Sequence, residues 1–244
     1  MTDEEGSGSS EPYWTERPRS RSSPSDRRFL YRGEMLTFAV DAGVFSSHGL
    51  DPGTALLIEH LKLGAADRVL DLGCGWGAVG VAAAKASPRG SVVLTEVNRR
   101  AARLARQNLE RNHIGNAEVR VGAFFEPVPG ERFDVIATNP PYRIGRERIL
   151  ALLTEARDHL TPGGRLVLVG KGSQGIRFYQ EWLEEHWPGT VEVLGRGSGY
   201  RVVEAREQHR AAEPPTVAAP RRTRAGRARP GRAAPGSART ARSA

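Results

Sequence analysis

Residues 68–77 read Arg-Val-Leu-Asp-Leu-Gly-Cys-Gly-Trp-Gly, and no other stretch of the 244-residue chain limits its fold so narrowly. Val69, Leu70 and Leu72 make an apolar strand. Glycines at 73, 75 and 77 then open a loop whose backbone can take angles closed to other residues and which a ligand can approach closely. Ala78 to Ala86 follows as an alanine-rich helix. A strand, a tight glycine turn and a helix N-terminus together make a nucleotide-type site. Asp71 stands just before the loop opens.

The same rhythm continues along the chain. Strands are expected at 68–72, 91–96, 117–121, 133–138 and 165–170, and helices at 78–86, 98–112, near 146–160 and at 175–187. Strands alternating with helices imply a parallel sheet covered on both faces. The last two strands, 191–195 and 200–206, are joined by only four residues, Arg196 to Gly199. A parallel crossover needs a dozen or more, so this pair is antiparallel. Upstream, Asp51-Pro52-Gly53 starts a helix, with Asp as N-cap and Pro at the first position. Met35, Leu36, Phe38 and Val40, a break at Asp41-Ala42-Gly43, then Val44-Phe45, read as a β-hairpin.

The net charge of +8 has to be located before it means anything. Residues 205–244 hold ten arginines and two glutamates, which leaves 1–204 neutral. The tail, 207–244, is Ala, Arg, Pro and Gly without an aromatic residue, so it is expected to be disordered. Such a tail adds non-specific affinity for RNA through phosphate contacts, or is a dispensable arginine-rich extension. Residues 1–10 are also expected to be disordered. The domain then covers 11–206, with 11–31 as an N-terminal arm carrying Tyr13, Trp14 and Phe29. No apolar run approaches the roughly 18 residues that cross a bilayer. The acidic, Gly/Ser-rich start is unlike a signal peptide. The lone Cys74 forbids an intrachain disulfide and a cysteine-only metal site, and the six histidines lack metal-ligand spacing. These features favour a cytoplasmic protein without a metal.

Gly75-Trp76-Gly77-Ala78-Val79-Gly80 fits the dinucleotide fingerprint, a weak signal by itself. Glu96 ends the second strand 21 residues after Gly75 and can accept hydrogen bonds from both ribose hydroxyls, whether of NAD or of S-adenosylmethionine. Two features separate these cofactors. The Asp71 carboxylate can face the ammonium of a bound amino acid but would repel a pyrophosphate. The second is Asn139-Pro140-Pro141-Tyr142 at the carboxyl end of the fourth strand, where open α/β sheets bind ligands. Two prolines donate no N–H, so the loop presents carbonyls. The Asn139 side-chain oxygen and the Pro140 carbonyl can accept two hydrogen bonds from one planar amino group, and Tyr142 offers an aromatic face for a base or an amide. This arrangement suits methyl transfer to nitrogen.

With these motifs, residues 13–206 resemble the class I S-adenosylmethionine methyltransferases, and within them single-domain members of the small-subunit ribosomal RNA guanine-N2 methyltransferase family. Tyr13-Trp14-Thr15-Glu16, Asp41 to Ser46, Gly49 to Thr54, Asn98 to Ala101 and Gly199 to Val202 look like the same group. The resemblance implies a Rossmann-like fold with a seven-stranded, mostly parallel sheet, an antiparallel last strand and an N-terminal hairpin. It implies that Asp71, Gly73 and Gly75 hold the methionine part of the cofactor, that Glu96 binds its ribose and that Phe45 packs beside it. Asn139 and Pro140 then orient the target amine, and Tyr142 stacks on the base. Lys171 is similar to a position in a basic segment of relatives and reads as an RNA phosphate contact or as a solvated loop lysine. One departure concerns the adenine: Ala123 stands where relatives carry an acid, so backbone groups or Phe124 hold that ring instead. A second is the lack of room for an extra N-terminal domain, which assigns substrate recognition to the arm, the hairpin or the tail.

The reading that follows is an S-adenosylmethionine-dependent N-methyltransferase acting on N2 of a guanine in ribosomal RNA. The same tetrapeptide also serves methylation of a protein glutamine amide or of DNA adenine N6, although the helical or target-recognition domains expected for those are not seen. From a different class, a non-catalytic RNA-binding scaffold on a methyltransferase fold fits Ala123 and the basic tail but not the intact Asp71, Glu96 and Asn139. Carbon methylation through a cysteine adduct is not expected, because Cys74 belongs to the glycine loop.

Overall fold

A computed structural model describes residues 15–16, 20–46 and 49–208. Tyr13 and Trp14, and the segments 1–10 and 209–244 expected to be disordered, lie outside the described residues. The first element among the described residues is a two-stranded antiparallel hairpin, β1 (Ser25–Tyr31) and β2 (Glu34–Val40). Helix α1 (Pro52–His60) follows, capped by Asp51, whose carboxylate accepts from Thr54 N at 2.9 Å. The remaining elements are β3 (Arg68–Leu72), α2 (Ala78–Ala86), β4 (Ser91–Glu96), α3 (Arg99–Arg111), β5 (Ala117–Val121), β6 (Phe133–Thr138), α4 (Arg146–Ala156), β7 (Leu160–Lys171), α5 (Ile176–His186), β8 (Gly189–Gly197) and β9 (Tyr200–Glu207).

Strands β3 to β9 form one seven-stranded sheet in the order β5-β4-β3-β6-β7-β9-β8. Strands β3 to β7 pair in parallel, and β9 runs antiparallel to both β7 and β8. Along β3, Val69 joins the core beneath α1, α2 and α3, while Leu70 and Leu72 join the core beneath α4 and α5. Val135 and Ile136 of β6, and Val167 and Leu168 of β7, divide in the same way. A strand buried on both faces must be apolar throughout, and this is why these segments read as continuous runs. The sheet reverses direction of growth between β3 and β6, and the crevice at that switch point holds the site. Among the described residues, no helix is long and apolar enough to cross a membrane.

The hairpin lies upstream of the expected one. Its turn is Arg32-Gly33, with φ of 49° and 85°, and Ser25–Tyr31 is the partner strand in place of Val44-Phe45. Two consecutive residues in the left-handed region are what a two-residue hairpin turn requires. Asp41-Ala42-Gly43 is instead pinned as a corner. The buried Asp41 carboxylate accepts from Ser22 Oγ at 2.7 Å and from the backbone of Ser23 and Ala42. These hydrogen bonds hold its carboxyl below the usual range despite the cost of burial.

The outer edge of β2 is satisfied by side chains. Asn108 of α3 accepts from Ala39 N at 2.7 Å and donates to Ala39 O at 3.0 Å. One turn later, Asn112 makes the same pair of bonds to Thr37 N and O. Two asparagines four residues apart on a helix thus stand in for a neighbouring strand. Asn108 Nδ2 also donates to Trp76 O at 2.8 Å. The Trp76 ring packs edge-on against Phe38, and its Nε1 donates to Phe45 O at 3.1 Å. The hairpin therefore buttresses the glycine loop.

Candidate active site

A cavity of about 220 Å³ opens at the carboxyl edge of β3, β4 and β6. Phe45, Asp71, Gly73, Gly75, Glu96, Ala123 and Asn139 all line it, so residues spread over nearly a hundred positions meet in one place. Gly73, Gly75 and Gly77 have φ of 74°, 57° and 89°, the left-handed region that only glycine occupies without strain. The N–H groups of Gly73 and Cys74 both donate to Thr95 O at 3.0 Å, which ties the loop to β4. At Gly80 the absence of a side chain lets α2 close on the sheet, since a Cβ there would overlap Leu94.

Two buried carboxylates dominate the electrostatics. Asp71 accepts from Gly80 N at 2.7 Å and so caps the first turn of α2. Its other oxygen accepts nothing from the described residues, and burial with Glu96 nearby pushes its pKa up to about 7. Glu96 accepts from Gly75 N and Asn98 N, each at 2.8 Å, and burial raises its pKa too. Thr95 Oγ1 is fully buried at the cavity wall without a partner among the described residues. A pocket with two desolvated carboxylates and an orphaned hydroxyl fits a ligand that is cationic and rich in hydrogen-bonding groups, and disfavours a pyrophosphate. Burial and both carboxylates push the Cys74 thiol up, so it stays protonated and is a poor nucleophile.

Across the cavity, Asn139 Nδ2 donates to Asp51 Oδ2 at 3.2 Å and to Thr54 Oγ1 at 3.0 Å. A carboxylate only accepts, which fixes the amide's orientation. Asn139 Oδ1 is the atom without a partner among the described residues. Asp51 Oδ1 accepts from the Tyr200 hydroxyl at 3.2 Å. Asp51, Thr54 and Tyr200 were not singled out from sequence as parts of the site. A helix cap accounted fully for Asp51, and Tyr200 lies 149 residues away.

Two expected residues do not reach the cavity wall. The Tyr142 ring is buried against Tyr179, its hydroxyl donates to Val169 O at 2.9 Å, and burial pushes its phenol up. The reason is Gly170, where a Cβ would overlap the Tyr142 hydroxyl; the missing side chain makes a slot that takes the ring inward. Pro141 and Ile144 form the apolar wall in its place. Pro140 is also buried off the wall, and its carbonyl accepts from Tyr142 N at 2.9 Å. At Ala123 the backbone N–H is taken by Glu126 Oε2 at 3.1 Å, and the neighbouring Phe124, with φ of 46°, lines the cavity.

Known proteins are similar to this chain in sequence and fold. The methyltransferase small domain family matches residues 35–204. The protein YbxB of Bacillus subtilis is 32% identical over 200 residues, covering 81% of this chain and 99% of that protein. Ribosomal RNA small subunit methyltransferase C of Haemophilus influenzae is 33% identical over 173 residues, 69% of this chain and 51% of that one. Among solved structures, the T. thermophilus 16S rRNA N2 G1207 methyltransferase (RsmC), in complex with AdoMet and guanosine, is 30% identical with a TM-score of 0.67. The match covers 78% of this chain and 52% of that chain. This chain thus spans nearly all of the first relative but about half the length of the other two. The chain belongs to the methyltransferase small domain family, a family of S-adenosylmethionine-dependent enzymes.

Proposed function

We propose that this chain transfers a methyl group from S-adenosylmethionine to the exocyclic N2 amine of a guanine in ribosomal RNA. The observation that carries the reading is the fixed Asn139 amide, whose Nδ2 is held by Asp51 and Thr54 and whose Oδ1 is left for a donor in the cavity. The names of the relatives point to the same substrate class. Asp71 and the glycine loop hold the amino-acid end of the cofactor, Glu96 takes its ribose hydroxyls, and Phe45 and Phe124 flank it. When bound, the cofactor supplies an electrophilic methyl, whose bond to sulfur breaks as its bond to nitrogen forms. Asn139 Oδ1 accepts one N–H of the target amine and turns the nitrogen lone pair toward the cavity. The amine loses its proton to solvent after it becomes cationic, so placement and not a strong base is what the protein supplies. A base in a loop enters directly, and a paired one has to be flipped out.

The test is methylation with tritiated cofactor of ribosomal RNA and ribosomal subunits from a strain lacking this gene. Label in a guanine of RNA, released as N2-methylguanosine on nuclease digestion, is the expected result. Label in protein would redirect the reading to a glutamine amide. Failure to bind S-adenosylmethionine at millimolar concentration in calorimetry would leave a scaffold.

A further inference from the structure

A second concave site lies beside the first. Arg177 at the start of α5, Arg196 at the end of β8 and Arg201 on β9 line one pocket together with Gly172, Gly197, Gly199 and Tyr200. Lys171 stands at its edge, with Nζ 5.7 Å from the centre of the Tyr200 ring. The two loops that build it, 171–177 and 196–201, contain four cations and no acidic residue. None of these four forms an ion pair with a described residue, whereas Arg68, Lys85, Arg111, Arg120 and Arg165 all do. Arg201 is steadied by Gln180, which accepts from it at 2.8 Å. In a body whose residues 1–204 sum to zero charge, so local an excess is a directed feature.

Tyr200 is the wall between the two sites. Its ring faces the arginine pocket, and its hydroxyl donates to Asp51, which in turn receives Asn139. Three guanidiniums joined through Tyr200 and Asp51 to the amide that orients an amine is the layout for a base in one cavity and its backbone in the next. Guanidinium forks match phosphate oxygens, and the three glycines let the backbone come close. The geometry points to a phosphate subsite at Arg177, Arg196 and Arg201 that grips the RNA backbone next to the methylated nucleotide. It rests on the RNA reading above and adds the β7–α5 and β8–β9 loops to the elements that recognise substrate.

The experiment uses the full chain and a fluorescein-labelled 20-nucleotide single-stranded RNA, with anisotropy followed from 50 to 300 mM NaCl. The pair Arg177→Gln and Arg196→Gln is compared with an equal charge loss elsewhere, Arg89→Gln and Arg103→Gln, at exposed arginines outside both pockets. Calorimetry with S-adenosylmethionine confirms that both variants are folded. The first pair is expected to lose about tenfold in RNA affinity at 100 mM salt, and its log–log salt slope to shrink by about 0.7 for each phosphate released. The control pair is expected to keep the wild-type slope. Equal losses in both pairs, or none in the first, would overturn the subsite. If the wild type binds RNA in this way but labels only protein, the target reading falls and with it the placement beside a methylated nucleotide, leaving only an RNA phosphate site. If the wild type methylates RNA and the first pair binds RNA as tightly as the wild type does, the target reading stands and the subsite falls.

Discussion

The side-chain amide of Asn139 is held by the carboxylate of Asp51, 88 residues earlier in the chain, at 3.2 Å. Asp51 caps α1, receives the Tyr200 hydroxyl and sets which way Asn139 faces. Replacing Asp51 with Ala should lower kcat by about a hundredfold through misplacement of the amide. The lost cap should also cost about 1 kcal/mol of stability. Cofactor affinity, measured by calorimetry, should change little. A stability loss with unchanged kcat would assign Asp51 to the helix alone.

Asn139→Ala separates binding from chemistry. Transfer should fall by at least about 10³-fold, as when a positioned polar group is removed from a reacting centre. The affinity for S-adenosylmethionine should stay nearly intact, because Asp71, Glu96 and the loop remain. Single-turnover methylation and calorimetry read the two quantities, and a parallel loss of both would refute the assigned role.

Asp71 makes stability depend on pH. Its pKa is raised to about 7 in the fold, against 3.8 for the free side chain, so the native state holds a proton that the unfolded chain has released between these values. Stability from this group is complete below about pH 4 and is lost as pH rises toward about 7, on the order of 4 kcal/mol in all. Asp71→Asn should flatten that slope in urea unfolding of the ligand-free protein. It should also weaken binding of the cationic cofactor at pH 8, which an uncharged ligand of the same shape would not report.

Asn108 is a purely structural counterpart. Substitution by Ala leaves Ala39 N, Ala39 O and Trp76 O without partners in a buried place. The expected cost is about 3 kcal/mol in denaturant unfolding. Because Trp76 packs on the hairpin and steadies the loop, cofactor affinity should drop as well. Unchanged affinity would show that the loop holds its shape without the hairpin.

The sheet was legible because its central strands β3, β4, β6 and β7 are buried on both faces and leave apolar runs, and the short link before Tyr200 settled the antiparallel end. The hairpin was misplaced because β1, Ser-Asp-Arg-Arg-Phe-Leu-Tyr, buries only one face and its arginines hide the alternation. Six of the expected site residues meet at the cavity because the ends of β3, β4, β5 and β6 and the loops after them carry them there, and Phe45 joins them from the segment after the hairpin. Tyr142 escaped that logic, since what decides its orientation is a missing side chain at Gly170 on another strand. Asp51, Thr54 and Tyr200 were hidden for a related reason: their roles exist only across long sequence distances that no local pattern encodes.

The turn Ser198-Gly199 is the single described connection at the cavity edge that joins neighbouring antiparallel strands, with φ of 50° and 82° and Gly197 paired to Tyr200. The links after β3, β4, β6 and β7 thread a helix over the sheet, so lengthening one of them would disturb the packing of a whole layer, and the helix-free link after β5 lines the cavity itself. Residues inserted at 198–199 would instead grow outward from a closed ladder, leaving Asn139 and Asp51 where they are. This scaffold therefore carries a place where a longer loop can be added beside the arginine pocket without repacking a layer of helices.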